Sequence, residues 1–180
     1  YVKLGQSSTT LSGGEAFLAD IGIADADDLA ALRDKYEDAG AFDTGIFGTY
    51  ILTQVLLNNG FADTAYMLLT SEAENASFAH MKNSGATTIW ENWNGAESHD
   101  HPMFGASAFY LFSHILGITQ QDNTYGYEQV LIRPIIPDSL SNASGSITTP
   151  KGEISVAFKR TDSGIDFTVT LPDGVNADFE

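Results

Sequence analysis

Up to about Thr119 the apolar positions of this chain recur at intervals of three and four, and beyond it they alternate with polar ones. The first period belongs to helices with one buried face, the second to strands of a half-buried sheet. Residues 1–12 are polar without a clear period, and 13–23 read as the tail of a helix that stops near Gly22. Asp25 and Asp27 suit the cap of a helix over about 27–38, whose Leu29, Leu32 and Tyr36 share a face opposite Asp28, Arg33, Asp34 and Glu37, and Gly40 ends it. The spacing of Ile46, Phe47, Tyr50, Ile51 and Val55 predicts a helix over about 44–58, stopped by Asn58-Asn59-Gly60. Ala65, Tyr66, Leu68 and Leu69 mark another over about 62–71, and the short link makes the two antiparallel neighbours. Residues 72–84 are irregular. Pro102 then suits the first position of a strongly apolar helix to about 116, buried nearly all round and closed by Gly117.

The alternating region places Val130 and Ile132 on one strand, Ile154, Val156 and Phe158 on a second, and Ile165, Phe167, Val169 and Leu171 on a third. Pro150-Lys151-Gly152 and Asp162-Ser163-Gly164 are turn signals between strands, so an antiparallel meander is expected. The predicted fold class is mainly α followed by β, with a domain change at about 120–126 that separates residues 1–122 from 123–180.

Composition narrows the class of partner. With 180 residues and 43% hydrophobic content, the chain can bury a core of its own. Eight Lys and Arg against 24 Asp and Glu give a net charge of −16, which repels phosphate backbones and anionic membrane surfaces, so neither nucleic acid nor membrane is an expected partner. No apolar run approaches the roughly 18 residues that span a bilayer, and Tyr1 opens no basic-then-apolar leader, so a soluble location is expected. The absence of cysteine leaves the compartment open, whether cytoplasm, periplasm or outside the cell.

The candidate chemistry lies in Thr87-Thr88-Ile89-Trp90-Glu91-Asn92-Trp93-Asn94-Gly95 and the following Ser98-His99-Asp100-His101-Pro102. An extended run ending in turn residues projects Glu91 from a rim, and His101 at a helix mouth can converge with it on one pocket. A carboxylate between two indoles suits carbohydrate chemistry, because a sugar's C–H face stacks on an aromatic ring while the carboxylate handles hydroxyls or water. The competing reading makes Trp90 and Trp93 packing residues, Glu91 a solvated loop carboxylate and His101 a capping histidine. His99-Asp100-His101 offers three metal-ligand side chains, but residues two apart on a turn rarely meet one ion, so no metal and no cofactor is expected.

The wider pattern adds to this. Asp43-Thr44-Gly45-Ile46-Phe47-Gly48-Thr49, Gly85-Ala86-Thr87-Thr88-Ile89-Trp90-Glu91, His101-Pro102-Met103-Phe104-Gly105 and Ile115-Leu116-Gly117-Ile118 resemble, in order and interval, the bacterial α-L-rhamnosidases of glycoside hydrolase family 78. Ile132-Arg133-Pro134 and Thr149-Pro150-Lys151-Gly152 are similar to the β-sandwich that follows the toroid in that family, so the resemblance covers about residues 14–175. It implies a partial α/α toroid of six-hairpin type with a C-terminal antiparallel β-sandwich segment, and hydrolysis of terminal α-L-rhamnose with inversion. Glu91 then matches the general base and His101 a sugar-contacting histidine, while Trp90 and Trp93 are placed in the same pocket. The family's general acid lies upstream of anything that matches here, so the chain reads as a C-terminal piece of a larger enzyme, inactive alone, whose partner is a rhamnoside. Asn92 stands where an arginine is frequent and Asp100 where an asparagine usually precedes the histidine, which bears on subsite detail. The alternative is a non-catalytic carbohydrate-binding or structural helical module, and the upstream sequence of the parent gene discriminates the two.

Overall fold

A computed structural model describes residues 13–180; the sequence reading of 1–12 lies outside the described residues. The chain divides into two units between Ser107 and Ala108. In the first, α1 (Gly14–Asp20), α2 (Ala26–Ala39), α3 (Ile46–Asn58) and α4 (Ala62–Leu69) follow the predicted order, each boundary within a few residues of expectation. Asp25 caps α2 by accepting from the N–H groups of Asp27 and Asp28, and the Asp28 carboxylate accepts from the Asp25 N–H in return. That reciprocal cap satisfies donors the first helical turn leaves unpaired.

Helix α3 is the apolar centre of this unit. Leu52, Val55, Leu56 and Leu57 are buried, and the hydroxyl of buried Thr53 donates to the Thr49 carbonyl at 2.7 Å rather than facing the core unpaired. Leu32 and Tyr36 of α2 and Ala65 and Leu68 of α4 supply the other buried surfaces. A short helix that the period does not reveal, α5 (Phe78–Asn83), starts at Ser77, whose hydroxyl accepts from the His80 N–H at 2.9 Å.

Beyond α5 the regular pattern stops. The helix predicted from Pro102 to 116 is replaced by a 3-10 turn over Phe104–Ala108 and a π-helical turn over Leu111–Ile115. Small residues at 105–108 give an α-helix little side-chain packing to select it, and Ser113 spends its hydroxyl on the Phe109 carbonyl at 3.1 Å, a local bond that competes with regular helix. The Leu116 N–H reaches back five residues to the Leu111 carbonyl. Nor is this stretch buried all round: Phe109, Leu111 and Phe112 are exposed.

The second unit holds two three-stranded sheets. In one, β3 (Asn142–Thr149), β4 (Gly152–Thr161) and β5 (Gly164–Thr170) form an antiparallel meander with two-residue turns at the predicted places; β4 and β5 are the expected neighbours, but β3 is a strand the alternation does not reveal, and the expected Val130 and Ile132 strand lies in the other sheet. Strand β4 buries Ile154, Val156 and Phe158. Phe167 and Val169 pair with Phe158 and Val156, so they occupy the same face, yet Ile165 and Phe167 on this edge strand remain exposed. In the other sheet, β1 (Ile118–Gln120) pairs antiparallel with β2 (Gln129–Ile132), whereas β6 (Asn176–Phe179) pairs with β2 in parallel. The meander expectation fails for that pair because β6 reaches β2 only after the chain has built the whole other sheet, so no hairpin fixes its direction. Among the described residues no helix is long and apolar enough to cross a membrane.

Candidate active site

The segment from Ser84 to Ser107 has no α-helix or strand, yet its backbone is tied at close intervals. The His101 N–H donates to the Ile89 carbonyl and the Glu91 N–H to the Ser98 carbonyl, both at 2.8 Å, so 89–91 and 98–101 lie side by side like a short strand pair. The Thr88 hydroxyl adds a bond to the His99 carbonyl. Between these ties the chain turns through Asn92 to Glu97. There the Gly95 N–H donates to the Asn92 carbonyl at 3.0 Å, and the Asn94 side-chain oxygen accepts from the Ala96 N–H at 3.0 Å. Gly95 has φ +73°, and a Cβ at that position would stand 3.0 Å from the Trp90 ring, a tight contact, so the turn favours glycine on both counts.

Extended backbone sends successive side chains to opposite faces. Trp90 accordingly goes inward, 7% exposed, into a cluster with Met81 and Phe104, while Glu91 goes outward. The His99 imidazole stacks on Trp90 at 4.9 Å, and its Nε2 lies 2.8 Å from the Gly95 carbonyl. Trp93 is enclosed by aromatic rings: Phe42 parallel at 5.6 Å, Phe78 edge-on at 5.3 Å and Phe104 tilted at 4.1 Å. Its indole N–H donates to the Thr44 carbonyl at 2.7 Å. Both indoles therefore have protein for neighbours, Trp90 buried and Trp93 partly so.

The Glu91 carboxylate faces two groups through one oxygen. Oε2 accepts from the Ser98 N–H at 3.2 Å and lies 3.6 Å from His101 Nδ1, an ion pair whenever the imidazole is protonated. The side chains of Glu91 and His101 are 34% and 26% exposed, open enough for water and ligand to reach. His101 Nε2 is buried and has no hydrogen-bond partner among the described residues. The convergence of Glu91 and His101 comes from the strand-like pairing, since Pro102 starts a turn instead of an α-helix. Among the described residues no group of three or more His, Asp or Glu gathers where a metal ion would sit.

A second polar cluster lies at the Asp43-Thr44-Gly45 motif. The Tyr36 hydroxyl donates to Asp43 Oδ1 at 2.5 Å, and Lys35 Nζ lies 2.9 Å from Asp43 Oδ2 and 3.7 Å from Glu15 Oε2. Burial, and then the hydrogen bond to Asp43, pushes the Tyr36 phenol well above its ordinary range. In the sequence, Asp43-Thr44-Gly45 stands out only by its likeness to other chains. Its tie to Trp93 runs through a backbone carbonyl, which has no signature in residue type.

Residues 21–115 match the model of the bacterial alpha-L-rhamnosidase 6 hairpin glycosidase domain, and 117–179 that of the bacterial alpha-L-rhamnosidase C-terminal domain. An alpha-L-rhamnosidase of Alteromonas sp. (strain LOR) is 35% identical over 147 residues, which make up 76% of this chain and 16% of that protein. One of Formosa agariphila is 32% identical over 148 residues, with the same coverage of each. In fold, the chain resembles the alpha-L-rhamnosidase of Dictyoglumus thermophilum, with a TM-score of 0.80 and 24% identity over 98% of this chain and 21% of that one. It also resembles that of Streptomyces avermitilis, solved in complex with L-rhamnose, with a TM-score of 0.76 and 24% identity over 92% of this chain and 17% of that one. The chain thus spans about 16% of the length of the curated relatives it matches.

Proposed function

This chain belongs to the bacterial alpha-L-rhamnosidase family, and we propose that it carries the general-base side of a longer glycoside hydrolase that releases terminal α-L-rhamnose with inversion. The observation that carries this reading is the Glu91 carboxylate, held through Oε2 by the Ser98 N–H and faced by His101 at 3.6 Å. With Oε2 so engaged, Oε1 is the oxygen that takes a proton from water as that water attacks the anomeric carbon. The Ser98 N–H fixes the carboxylate's aim.

His101 contacts the sugar, and Trp90 and Trp93 form the apolar wall behind the carboxylate. The general acid that protonates the leaving oxygen must stand roughly 6.5–9.5 Å from the base to leave room for the water. We assign it to an earlier segment of the longer protein, so the 180-residue chain alone does not turn over aryl α-L-rhamnosides. The test is proton NMR of the reaction catalysed by the longer protein. The β-anomer of L-rhamnose should appear first and mutarotate later, and a first-formed α-anomer contradicts inversion. His101→Ala should raise KM more than it lowers kcat, and the reverse removes the sugar contact from His101.

A further inference from the structure

We infer that Trp93 is a positioning residue for Glu91, acting through the bond from its indole N–H to the Thr44 carbonyl; the inference rests on the reading of Glu91 as the base. The turn from Asn92 to Glu97 carries Trp93 two residues beyond Glu91, so whatever fixes Trp93 fixes the exit of the backbone from the carboxylate. The opposite side of the turn is already fixed by the ties of Glu91 to Ser98 and of Ile89 to His101. Trp93 supplies a further attachment, and it leaves the turn to reach the Thr44 carbonyl just ahead of α3.

The anchor at the far end of that bond is itself immobilised. Thr44 is buried, and its hydroxyl lies 2.7 Å from that of buried Thr49 on α3. Its Cγ2 closes over two glycines, where a Cβ on Gly13 or Gly48 would stand 2.7 or 3.2 Å away. On the preceding residue, the Asp43 carboxylate is bound by Tyr36 and Lys35 of α2. The Thr44 carbonyl is therefore a fixed point set by two helices. The rings of Phe42, Phe78 and Phe104 hold the indole in the plane from which its N–H meets that carbonyl. A reacting group displaced by about 1 Å can lose on the order of a hundredfold in rate, so such a tether matters to a base that must aim at one water.

The experiment uses the longer enzyme with two replacements. Trp93→Phe keeps a ring in the cluster and removes the donor. A benzothiophene analogue of tryptophan at position 93 keeps the shape of indole and removes only the N–H. In both, amide exchange at Glu91, Ser98 and His101 should quicken by about tenfold or more while the amides of α2–α4 exchange as before. kcat should fall on the order of ten- to a hundredfold with KM within about twofold. In a Glu91→Gln background the same replacements should change kcat by no more than about twofold, because a base that is absent has no aim to lose. Unchanged exchange at the three amides overturns the inference. So does exchange that rises equally in α2–α4, or losses in kcat that multiply with those of Glu91→Gln. If Glu91→Gln alone leaves kcat near wild type, it is the reading of Glu91 as base that fails, and the exchange data still decide whether Trp93 holds the turn.

Discussion

Between Ala26 and Leu69, three helices close their backbone bonds within themselves and meet through Leu32, Tyr36, Leu52, Leu56 and Leu68. Between Ser84 and Ser107, the chain has no such internal ladder, and single bonds hold it: His101 to Ile89, Glu91 to Ser98, Trp93 to Thr44. The first region can lose one side chain and keep its course, because each helix is specified many times over. In the second, each tie is specified once. That difference suits the work proposed for each part, since a scaffold needs redundancy and a base needs one geometry.

The largest effect on stability should come from the scaffold. Leu56→Ala empties a fully buried site on α3 and should cost about 2–5 kcal/mol in urea unfolding, with both regions lost together. A cost below about 1 kcal/mol would show that the site collapses freely and that α3 is not the centre of the packing. Gly95→Ala should cost about 1–3 kcal/mol, because alanine meets both a left-handed backbone and the Trp90 ring. Its effect should be local. Amides of the 89–101 segment should lose protection while those of α3 keep theirs, and uniform loss would erase the distinction between the regions.

Tyr36 binds Asp43, the residue before the Thr44 carbonyl that receives Trp93, and pH tests that bond. Burial, then the bond to Asp43, raises its phenol above the ordinary value of 10.0, so the folded chain holds this proton more tightly than the unfolded one. The contribution is whole below pH 10 and is lost as pH rises above it. Stability should then fall by up to ~1.4 kcal/mol per pH unit more steeply than in Tyr36→Phe. Equal slopes above pH 10 would mean that the hydroxyl titrates alike in both states.

The helices were legible because period and cap coincide: Asp25 stands before the Leu29, Leu32, Tyr36 stripe, and Asn58-Asn59-Gly60 after α3. Strands β4 and β5 were legible from alternation and turns. Strand β3 was not, since its inward positions, Ala143, Gly145 and Ile147, include residues too small to carry a hydrophobic signal. Gly145 is small because Leu116 lies against it, 2.6 Å from where a Cβ would be. The parallel partner of β2 depends on a long-range return that no local pattern encodes.

At the site, Glu91 and His101 were legible as residue types and their meeting was anticipated, but for a reason the structure replaces: strand-like pairing across a turn does what a helix after Pro102 was expected to do. The enclosure of Trp93 by Phe42, Phe78 and Phe104 was hidden because the first two of those rings come from positions 51 and 15 residues earlier. Trp90 shares Phe104 with that cluster, and its inward course follows from its place next to the outward Glu91.

Glu91 as the group that activates water is tested most directly by kcat of Glu91→Gln in the longer enzyme, with and without azide. The amide keeps the size and the bond from Ser98 while it removes the base, so kcat should fall about 10²–10⁴-fold with KM little changed. Azide, a nucleophile that has no proton to lose, should restore turnover as a glycosyl azide of inverted configuration. Retention of kcat within about tenfold of wild type, a loss of only ~1.4 kcal/mol in transition-state stabilisation, would contradict the account and remove Glu91 from the chemistry.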